Sequence, residues 1–185
     1  LMMGKSLEEV GFQEEIIPSL FHVKESVFPF NKFPGVDPIL GPEMKSTGEV
    51  MGVGENFAEA FRKACAGAGE FIPRWGRAFL SVKDSDKEGI VDLGKQLVEL
   101  GFDMVATSGT QRVLVKHGLM CSKVQKVNEG RPDVADLLKN EQIDFIINTT
   151  EGRKSIEDSS VIRKLALRNK VFCSTTLAGG EAAIM

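Results

Sequence analysis

The sequence is poor in the side chains that build metal centres and disulfide frameworks. Its 185 residues include three cysteines and two histidines. Cys65, Cys121 and Cys173 are odd in number and form no C-x-x-C pair, which argues against a disulfide framework or a zinc ribbon and favours a reducing compartment. His22 and His117 are isolated, and no carboxylates are spaced to replace them as ligands. We therefore expect no metal site, no metal-hydrolase activity, and a cytoplasmic location.

Long apolar runs and an excess of positive charge are also absent. No stretch approaches the ~18 uninterrupted apolar residues that a membrane-spanning helix needs. The formal net charge of −3 argues against non-specific nucleic-acid binding, which depends on clustered lysine and arginine. The sequence has no G-x-S-x-G elbow, no suggested Cys–His pair and no G-x-x-x-x-G-K-[ST] loop. We expect no membrane or nucleic-acid partner, and we name no catalytic residue.

Proline and glycine are concentrated near the beginning of the chain. Five of the seven prolines precede residue 43. Because proline fixes φ and removes a backbone donor, residues 28–54 are expected to form loops and short strand pieces. Only two helices are predicted here, one around residues 7–10 and one over residues 56–66, where apolar side chains recur every three or four positions. A segment of this kind cannot close its own core well.

From residue 77 onward the apolar pattern alternates between strands and helices. Strands are predicted at residues 78–82, 102–106, 123–127, 145–147 and 171–173. This alternation implies a parallel sheet with right-handed crossovers, and the nearly continuous apolar strands indicate that both faces of the sheet are covered. The prediction is an α/β, doubly wound parallel sheet over residues 77–185. It follows a linker at 67–76 and the tail of a larger domain at 1–66, and both chain ends look cut.

Helix boundaries are predicted from local signals. Ser85 and Glu88 have the spacing of a capping box, with Ser85 as the N-cap. Gly101 is placed just after the helix that follows, where a left-handed backbone is easiest for glycine. The turn after the second strand is expected to lead into a helix over residues 111–117, and Pro132 is expected at the first position of another helix.

Small polar side chains follow every strong strand. In an open parallel sheet, ligands bind beyond the carboxyl ends of the strands, and helix N-termini at that edge favour phosphate. Lys87 and Lys126 add positive charge, so the pattern predicts a phosphate pocket. N-cap stability alone explains such side chains on any single turn, and remains an alternative here. The clusters are residues 83–85, 107–110, 148–150 and 174–176.

Candidates for acid–base chemistry are few. Asp84, Glu151 and Asp158 are the carboxylates near the predicted pocket. Asp84 and Asp158 suit helix starts equally well, and Glu151 lies in an exposed loop. The residues alone therefore predict a domain that binds a phosphorylated small molecule and does not transform it.

Two stretches resemble a known family. The Pro/Gly-rich run at 28–52 resembles the end of the second ATP-grasp half of the carbamoyl phosphate synthetase large chain. The remainder from Arg77 is similar to the regulatory domain of that family, which has the methylglyoxal synthase-like fold. Its matching runs include residues 80–82, 86–88, 126–132, 146–150 and 161–163.

The resemblance implies effector sites. In this family the regulatory domain binds UMP as an inhibitor and IMP as an activator, and ornithine binds between the regulatory and synthetic domains. Glu25 and Thr175 match positions for ornithine, although Cys173-Ser174 replaces an aromatic residue and an acid that would help to bind its amine. The matching nucleotide positions are Lys87, Thr107, Thr110, Lys126, Asn148, Thr149, Thr150, Arg153 and Ser159.

The resemblance also implies a parent reaction. The family makes carbamoyl phosphate from bicarbonate, glutamine-derived ammonia and two ATP, for arginine and pyrimidine synthesis. ATP with its magnesium or manganese would bind upstream of Leu1, so the segment should need no cofactor and be inactive alone. A small glutaminase subunit and self-association are the expected protein partners. We expect the pocket to report its occupancy through contact with residues 28–54.

Other functions remain open. An enzyme of the same fold could act on a phosphorylated metabolite, as a methylglyoxal synthase-like lyase or an IMP cyclohydrolase-like enzyme. The first needs an acid after a Gly-Gly turn, where residues 129–132 place an arginine, and a histidine where Lys83 stands. The second has a signature that this chain lacks. An inert docking module is the third alternative.

Overall fold

The chain forms seven strands and six α-helices in the residues that the computed structural model describes, which are 1–32, 37–38, 48–151 and 153–185. Two short 3-10 helices cover Phe30–Lys32 and Asp84–Asp86. The strands are β1 Phe21–Val27, β2 Gly48–Gly54, β3 Gly76–Ser81, β4 Phe102–Ala106, β5 Ser122–Lys123, β6 Phe145–Asn148 and β7 Phe172–Ser174. The helices are α1 Phe57–Ala68, α2 Gly89–Glu99, α3 Ser108–Lys116, α4 Val134–Lys139, α5 Arg153–Asn169 and α6 Leu177–Ile184.

Five strands make one parallel sheet in the order β5-β4-β3-β6-β7. The chain enters this sheet at its middle strand, β3, proceeds outward through β4 to β5, and then crosses back to β6 and β7. The winding direction therefore reverses between β3 and β6. In open α/β sheets, this switch point is where the loops on the two sides separate and leave a crevice.

Both faces of the sheet are covered, as predicted. On one face, Leu80 packs with residues of α2, α3 and α6, including Leu93. On the other face, Phe79 packs with residues of α4 and α5, including Ile162. Adjacent strand residues point to opposite faces, so two cores form from a single apolar run. The doubly wound α/β prediction is confirmed.

The N-terminal part forms an antiparallel hairpin covered by α1. Strands β1 and β2 pair with Val23 opposite Gly52. Ala60 and Ala64 are fully buried on the side of α1 that meets this hairpin. Helix α1 also contacts the parallel-sheet region, because Phe61 packs against its first core and Arg62 Nη2 donates to the Ala183 carbonyl oxygen at 3.3 Å.

Several predictions for this N-terminal part are wrong. Residues 7–10 form hydrogen-bonded turns and no helix, since this short segment leaves Leu7 and Val10 exposed and has no packing to stabilise a helix. Strand β1 was not predicted, and β2 is a full strand. Helix α1 continues through Ala68 into the predicted linker. Parts of the 28–54 prediction lie outside the described residues, and the domain limits remain predictions.

Helix starts differ from their predicted positions. Ser85 lies within a 3-10 helix, and α2 begins only at Gly89, so the Ser85–Glu88 capping box does not form. Helix α3 begins at Ser108, three residues before the predicted start. Gly101 follows α2 with φ +85°, as predicted.

The region after β4 also differs. Strand β5 covers Ser122–Lys123 in place of residues 123–127. Helix α4 begins at Val134 because Asp133 and Asp136 form a reciprocal capping box, which leaves Pro132 outside the helix. The start of the helix is therefore set by the Asp133 side chain, which accepts a hydrogen bond from a backbone N–H of the first turn, and not by Pro132.

Candidate functional site

The buried polar side chains gather where the parallel strands end. We call this region the carboxyl edge: Ser81, Ala106, Asn148 and Ser174 with the loops that follow them. Polar groups are expensive to bury unless they are hydrogen-bonded, so their concentration at one edge is informative. The buried polar residues here are Thr107, Thr110, Asn148, Thr149, Ser159 and Ser174.

Two threonines, one on each side, hydrogen-bond to the backbone just after the central strand β3. Thr110 Oγ1 accepts a hydrogen bond from the Val82 backbone N–H at 3.1 Å. From the opposite side, Thr149 Oγ1 accepts from the Lys83 N–H at 3.0 Å. Two predicted site residues, 39 positions apart in sequence, therefore bind adjacent backbone groups at the switch point.

The hydroxyl of Thr107 is directed toward the same place. Thr107 is the N-cap residue of α3, but its side chain makes no capping hydrogen bond. It shares a hydrogen bond of 3.1 Å with Ser81 Oγ. Helix capping therefore does not explain this hydroxyl. At Thr176, in contrast, the hydroxyl accepts from the Gly179 N–H at 3.1 Å and caps α6, as the alternative interpretation expected.

Asn148 and Ser159 join the central sheet to α5. Asn148 Nδ2 donates to Ser159 Oγ at 3.0 Å, and both side chains are buried. Thr150 is half-buried at the end of the same loop. The backbone of Arg153 begins α5, and its side chain lies outside the described part of the structure.

Positive charge lies beside these hydroxyls. Lys87 pairs with Asp84, and its Nζ is so close to Gly109 that a Cβ at that glycine would lie 3.2 Å from it. Gly109 is in the first turn of α3, so Lys87 is next to the helix N-terminus. The Asp84 pKa is lowered, chiefly by the Lys87 hydrogen bond and charge and also by the charge of Lys126. Both predicted lysines therefore contribute to lowering the pKa of the same carboxyl group.

A cleft of about 280 Å³ opens beside the Thr149 bond, between the 3-10 helix and the start of α6. Lys83, from the predicted polar cluster at residues 83–85, contributes to its wall. The cleft lies on one side of the hydroxyl cluster. Its lining residues are Lys83, Asp86, Thr149, Thr150, Thr175, Thr176 and Leu177.

Glu25 lies in a second, separate group. It is half-buried on β1, and its negative charge adds to desolvation in raising the pKa of Glu70. Glu70 in turn acts on Cys173, whose thiol pKa is raised to about 12, mainly by burial. Thr175 is exposed two residues later. Glu70, which the sequence did not suggest, is therefore close enough for its charge to act on Cys173, whereas Thr175 lines the cleft beside Thr149.

None of the carboxylates considered for proton transfer has a buried position. Asp84 is exposed and paired with Lys87, and its lowered pKa suits a fixed negative charge at neutral pH. Glu151 is exposed, and Asp158 is half-buried on α5. The strongest contact that sequence reasoning missed is a two-bond pair between Arg163 and Asp37. The two residues are far apart in sequence and belong to no recognisable motif, so no local sequence signal predicted the pair.

The described residues contain neither a metal-binding cluster nor a membrane-spanning helix. No group of three or more histidine, cysteine, aspartate or glutamate side chains is arranged to hold a metal ion. None of the described helices has both the length and the apolar character needed to cross a membrane.

Residues 89–175 match the family described as MGS-like domain. A methylglyoxal synthase crystal structure from Elizabethkingia anophelis agrees with this fold. It has a TM-score of 0.50 and covers 61% of this chain and 79% of its own, at 16% identity. Residues 89–175 are therefore similar to an MGS-like domain, and the fold is α/β with a five-stranded parallel sheet.

Relatives match almost the whole chain. The chain is 58% identical over 182 residues to the carbamoyl phosphate synthase large chain of Pseudomonas putida, and 60% identical over 182 residues to that of Pseudomonas aeruginosa. Each match covers 98% of this chain and 17% of the relative. The protein from Halomonas eurihalina is 58% identical over 187 residues. By this similarity, the chain corresponds to the C-terminal region of the carbamoyl phosphate synthase large chain.

Proposed function

We propose that this chain is the effector-binding part of a carbamoyl phosphate synthase and binds a nucleoside monophosphate at the carboxyl edge. The observation that carries the proposal is the position of Thr110 and Thr149 on the two sides of the β3 exit, with Lys87 beside the first turn of α3. Loops from three strands thus present hydroxyls, backbone donors and a cation to one small volume.

The phosphate would bind between Lys87 and the N-terminus of α3. The first N–H groups of a helix lack intrahelical partners and carry partial positive charge, which favours phosphate. Thr107 does not cap this helix with its side chain, so those donors are available to an anion. Gly109 has no side chain to separate Lys87 from them. Lys126 supplies further charge at the rim.

The ribose would lie over the β6 end of the site. Asn148, Thr149 and Thr150 provide amide and hydroxyl groups there, and Ser159 orients the Asn148 amide. UMP and IMP share ribose phosphate, so both fit this set of donors and acceptors. We assign UMP the role of inhibitor and IMP that of activator, in line with the family resemblance. Arg153, at the start of α5, is proposed as an additional phosphate contact.

Ornithine is proposed as a second, weaker effector. Glu25 would pair with its amine, and Thr175 would bind it through the hydroxyl. Ser174 stands where the resemblance implies an acid, and its Oγ already donates to the Thr176 carbonyl oxygen at 2.7 Å. Because a serine cannot provide the missing negative charge, we expect weak ornithine binding.

The parent protein would make carbamoyl phosphate from bicarbonate, glutamine-derived ammonia and two ATP in the cytoplasm. We assign residues 1–66 to the tail of its second ATP-grasp domain. In line with the family resemblance, we assign ATP with magnesium or manganese to the part of the relatives' length that this chain does not span. A glutaminase subunit and further copies of the large chain are the proposed protein partners.

Isothermal titration calorimetry with UMP, IMP, ornithine and inorganic phosphate tests this function. We expect saturable heats with both nucleotides, weak heats with ornithine, and competition between UMP and IMP. Absence of binding by either nucleotide would contradict the proposal and favour a docking module. Bicarbonate-dependent ATP hydrolysis by the isolated chain should be absent. Methylglyoxal release from dihydroxyacetone phosphate would instead support the lyase alternative.

A further inference from the structure

Helix α5 makes two polar contacts on successive turns. Ser159 accepts the hydrogen bond from Asn148 at the carboxyl edge. Arg163, four residues later, pairs with Asp37 of the N-terminal part. Residues at i and i+4 lie on one side of a helix, about one turn apart. The same face of α5 therefore contacts the proposed effector site and a segment 126 residues distant in sequence.

The pair between Arg163 and Asp37 is two-pronged and largely buried. Arg163 Nε donates to Asp37 Oδ1 at 2.9 Å, and Nη2 donates to Oδ2 at 2.8 Å. The side chains are 6% and 28% exposed. Paired guanidinium–carboxylate hydrogen bonds constrain direction as well as distance. Removing one partner would leave a buried charge without compensation, so the geometry of the two groups is interdependent.

Asp37 balances the positive charge of Arg163. Cys173, on the neighbouring strand β7, is close enough for the arginine charge to act on its thiol. That thiol is neutral at physiological pH, because burial raises its pKa to about 12. Asp37 therefore provides the negative charge in direct contact with Arg163.

Asp37 follows β1 and the 3-10 helix Phe30–Lys32 in sequence, and residues 33–36 lie outside the described part of the structure. The 3-10 helix Phe30–Lys32 packs against α5, and Phe28 stacks on Phe30 with ring centroids 5.2 Å apart. Strand β1 in turn pairs with β2 along its full length. A shift of α5 would thus act on the N-terminal part at two places, Asp37 and the 3-10 helix that follows β1.

We propose that the Arg163–Asp37 pair couples effector binding at the carboxyl edge to the β1–β2 hairpin. This inference rests on the proposed nucleotide site and adds the contact through which its occupancy is communicated. Nucleotide binding at Asn148 and Ser159 fixes the first half of α5, and Arg163 transfers that constraint to Asp37. In this proposal nucleotide binding strengthens the pair, so by linkage the pair strengthens nucleotide binding by the same factor, and its loss weakens that binding.

Hydrogen–deuterium exchange with and without UMP or IMP tests this coupling. In the unmodified chain, either nucleotide should slow exchange at residues 148–150 and also at β1. In Asp37→Asn the protection at β1 should disappear, and nucleotide affinity should fall at least about 5-fold, the lower end of typical coupling between sites. Lys24→Gln is the matched control, since it removes an exposed ion pair with Glu49 in the same hairpin. It should behave like the unmodified chain.

The outcomes separate the coupling from the site itself. If UMP and IMP fail to bind the unmodified chain, both the proposed function and the coupling are wrong. If a nucleotide protects residues 148–150 but not β1, or if Asp37→Asn keeps the distal protection or an affinity within about twofold, the coupling alone is overturned. Should Asp37→Asn fail to unfold cooperatively, Arg163→Lys replaces it, because lysine keeps the charge but cannot make both hydrogen bonds.

Discussion

The two ends of the parallel sheet have opposite chemistry. At the carboxyl edge, threonine, serine and asparagine side chains are buried and hydrogen-bonded to one another and to the β3 exit. At the amino edge, formed by residues 75–77, 101–103 and 142–144, Asp103 and Asp144 are exposed. The larger cavity is at the amino edge, about 510 Å³ against about 280 Å³. Buried, pre-oriented polar groups and nearby lysines therefore identify the candidate site better than cavity volume does.

Asn148 and Asp103 provide the strongest contrast between the two edges. Asn148→Ala would leave Ser159 Oγ buried without its partner, so we expect unfolding free energy to fall by about 2–3 kcal/mol and UMP affinity by more than tenfold. Asp103→Ala should change stability by less than about 0.5 kcal/mol and leave binding intact. Urea unfolding and calorimetry measure both quantities. Equal effects of the two substitutions would remove the distinction between the edges.

Thr110 tests whether a single hydroxyl organises the site. Thr110→Val keeps the shape but leaves the Val82 N–H without its acceptor, which should cost about 1–2 kcal/mol of stability and weaken UMP binding. Thr110→Ser keeps the acceptor and should retain most of the binding. Urea unfolding with calorimetry distinguishes the two variants. A serine variant as defective as the valine variant would show that the hydroxyl alone does not organise the site.

Lys87 and Arg77 compare cations at the two edges. Lys87→Gln should lower UMP affinity about 5- to 10-fold, since it removes one charge-assisted contact to phosphate, while stability stays within about 0.5 kcal/mol. Arg77→Gln, at the amino edge, should leave affinity unchanged. Titrations at two salt concentrations should show a weaker salt dependence for Lys87→Gln. Loss of affinity in both variants would indicate a general effect of net charge.

The smallest expected effect is a change in titration at Asp84. Its pKa lies below the ordinary aspartate range because Lys87 donates to it. The pair is therefore intact above that folded pKa and is lost as the pH falls through it. Lys87→Gln should raise the Asp84 pKa, whereas Arg77→Gln should not, as measured by carboxyl carbon NMR during a pH titration. An unchanged Asp84 pKa in Lys87→Gln would show that the two groups are not paired in solution.

Much of the parallel sheet could be predicted from sequence because its strands are short apolar runs separated by helix-period patterns. Residues 145–147 illustrate this: each is apolar and buried, so the run has no polar interruption. The antiparallel hairpin was harder, since β1 contains exposed Lys24 beside half-buried Glu25 and has no turn signal that connects it to β2. Its pairing depends on contacts across more than twenty residues.

Thr107, Thr110, Asn148 and Thr149 lie at one edge because the rule that predicted them is topological. Thr110 and Thr149 need only follow β4 and β6, the two strands that flank β3, to reach the same edge. Their partners could not be predicted, because hydrogen bonds to Val82 and Lys83 depend on the exact path of the β3 exit. Ser85 shows an error of another kind, in which a local pattern predicted a feature that does not form. A good capping pattern was overridden by a 3-10 turn that delays α2 to Gly89.

Mapping amide chemical-shift changes on addition of UMP tests the central claim most directly. The account predicts that the largest changes lie at residues 82–87, 107–110 and 148–150, on the carboxyl edge, and that residues 75–77, 103 and 144 on the amino edge do not change. Changes concentrated at the amino edge, or no saturable change anywhere, would contradict it.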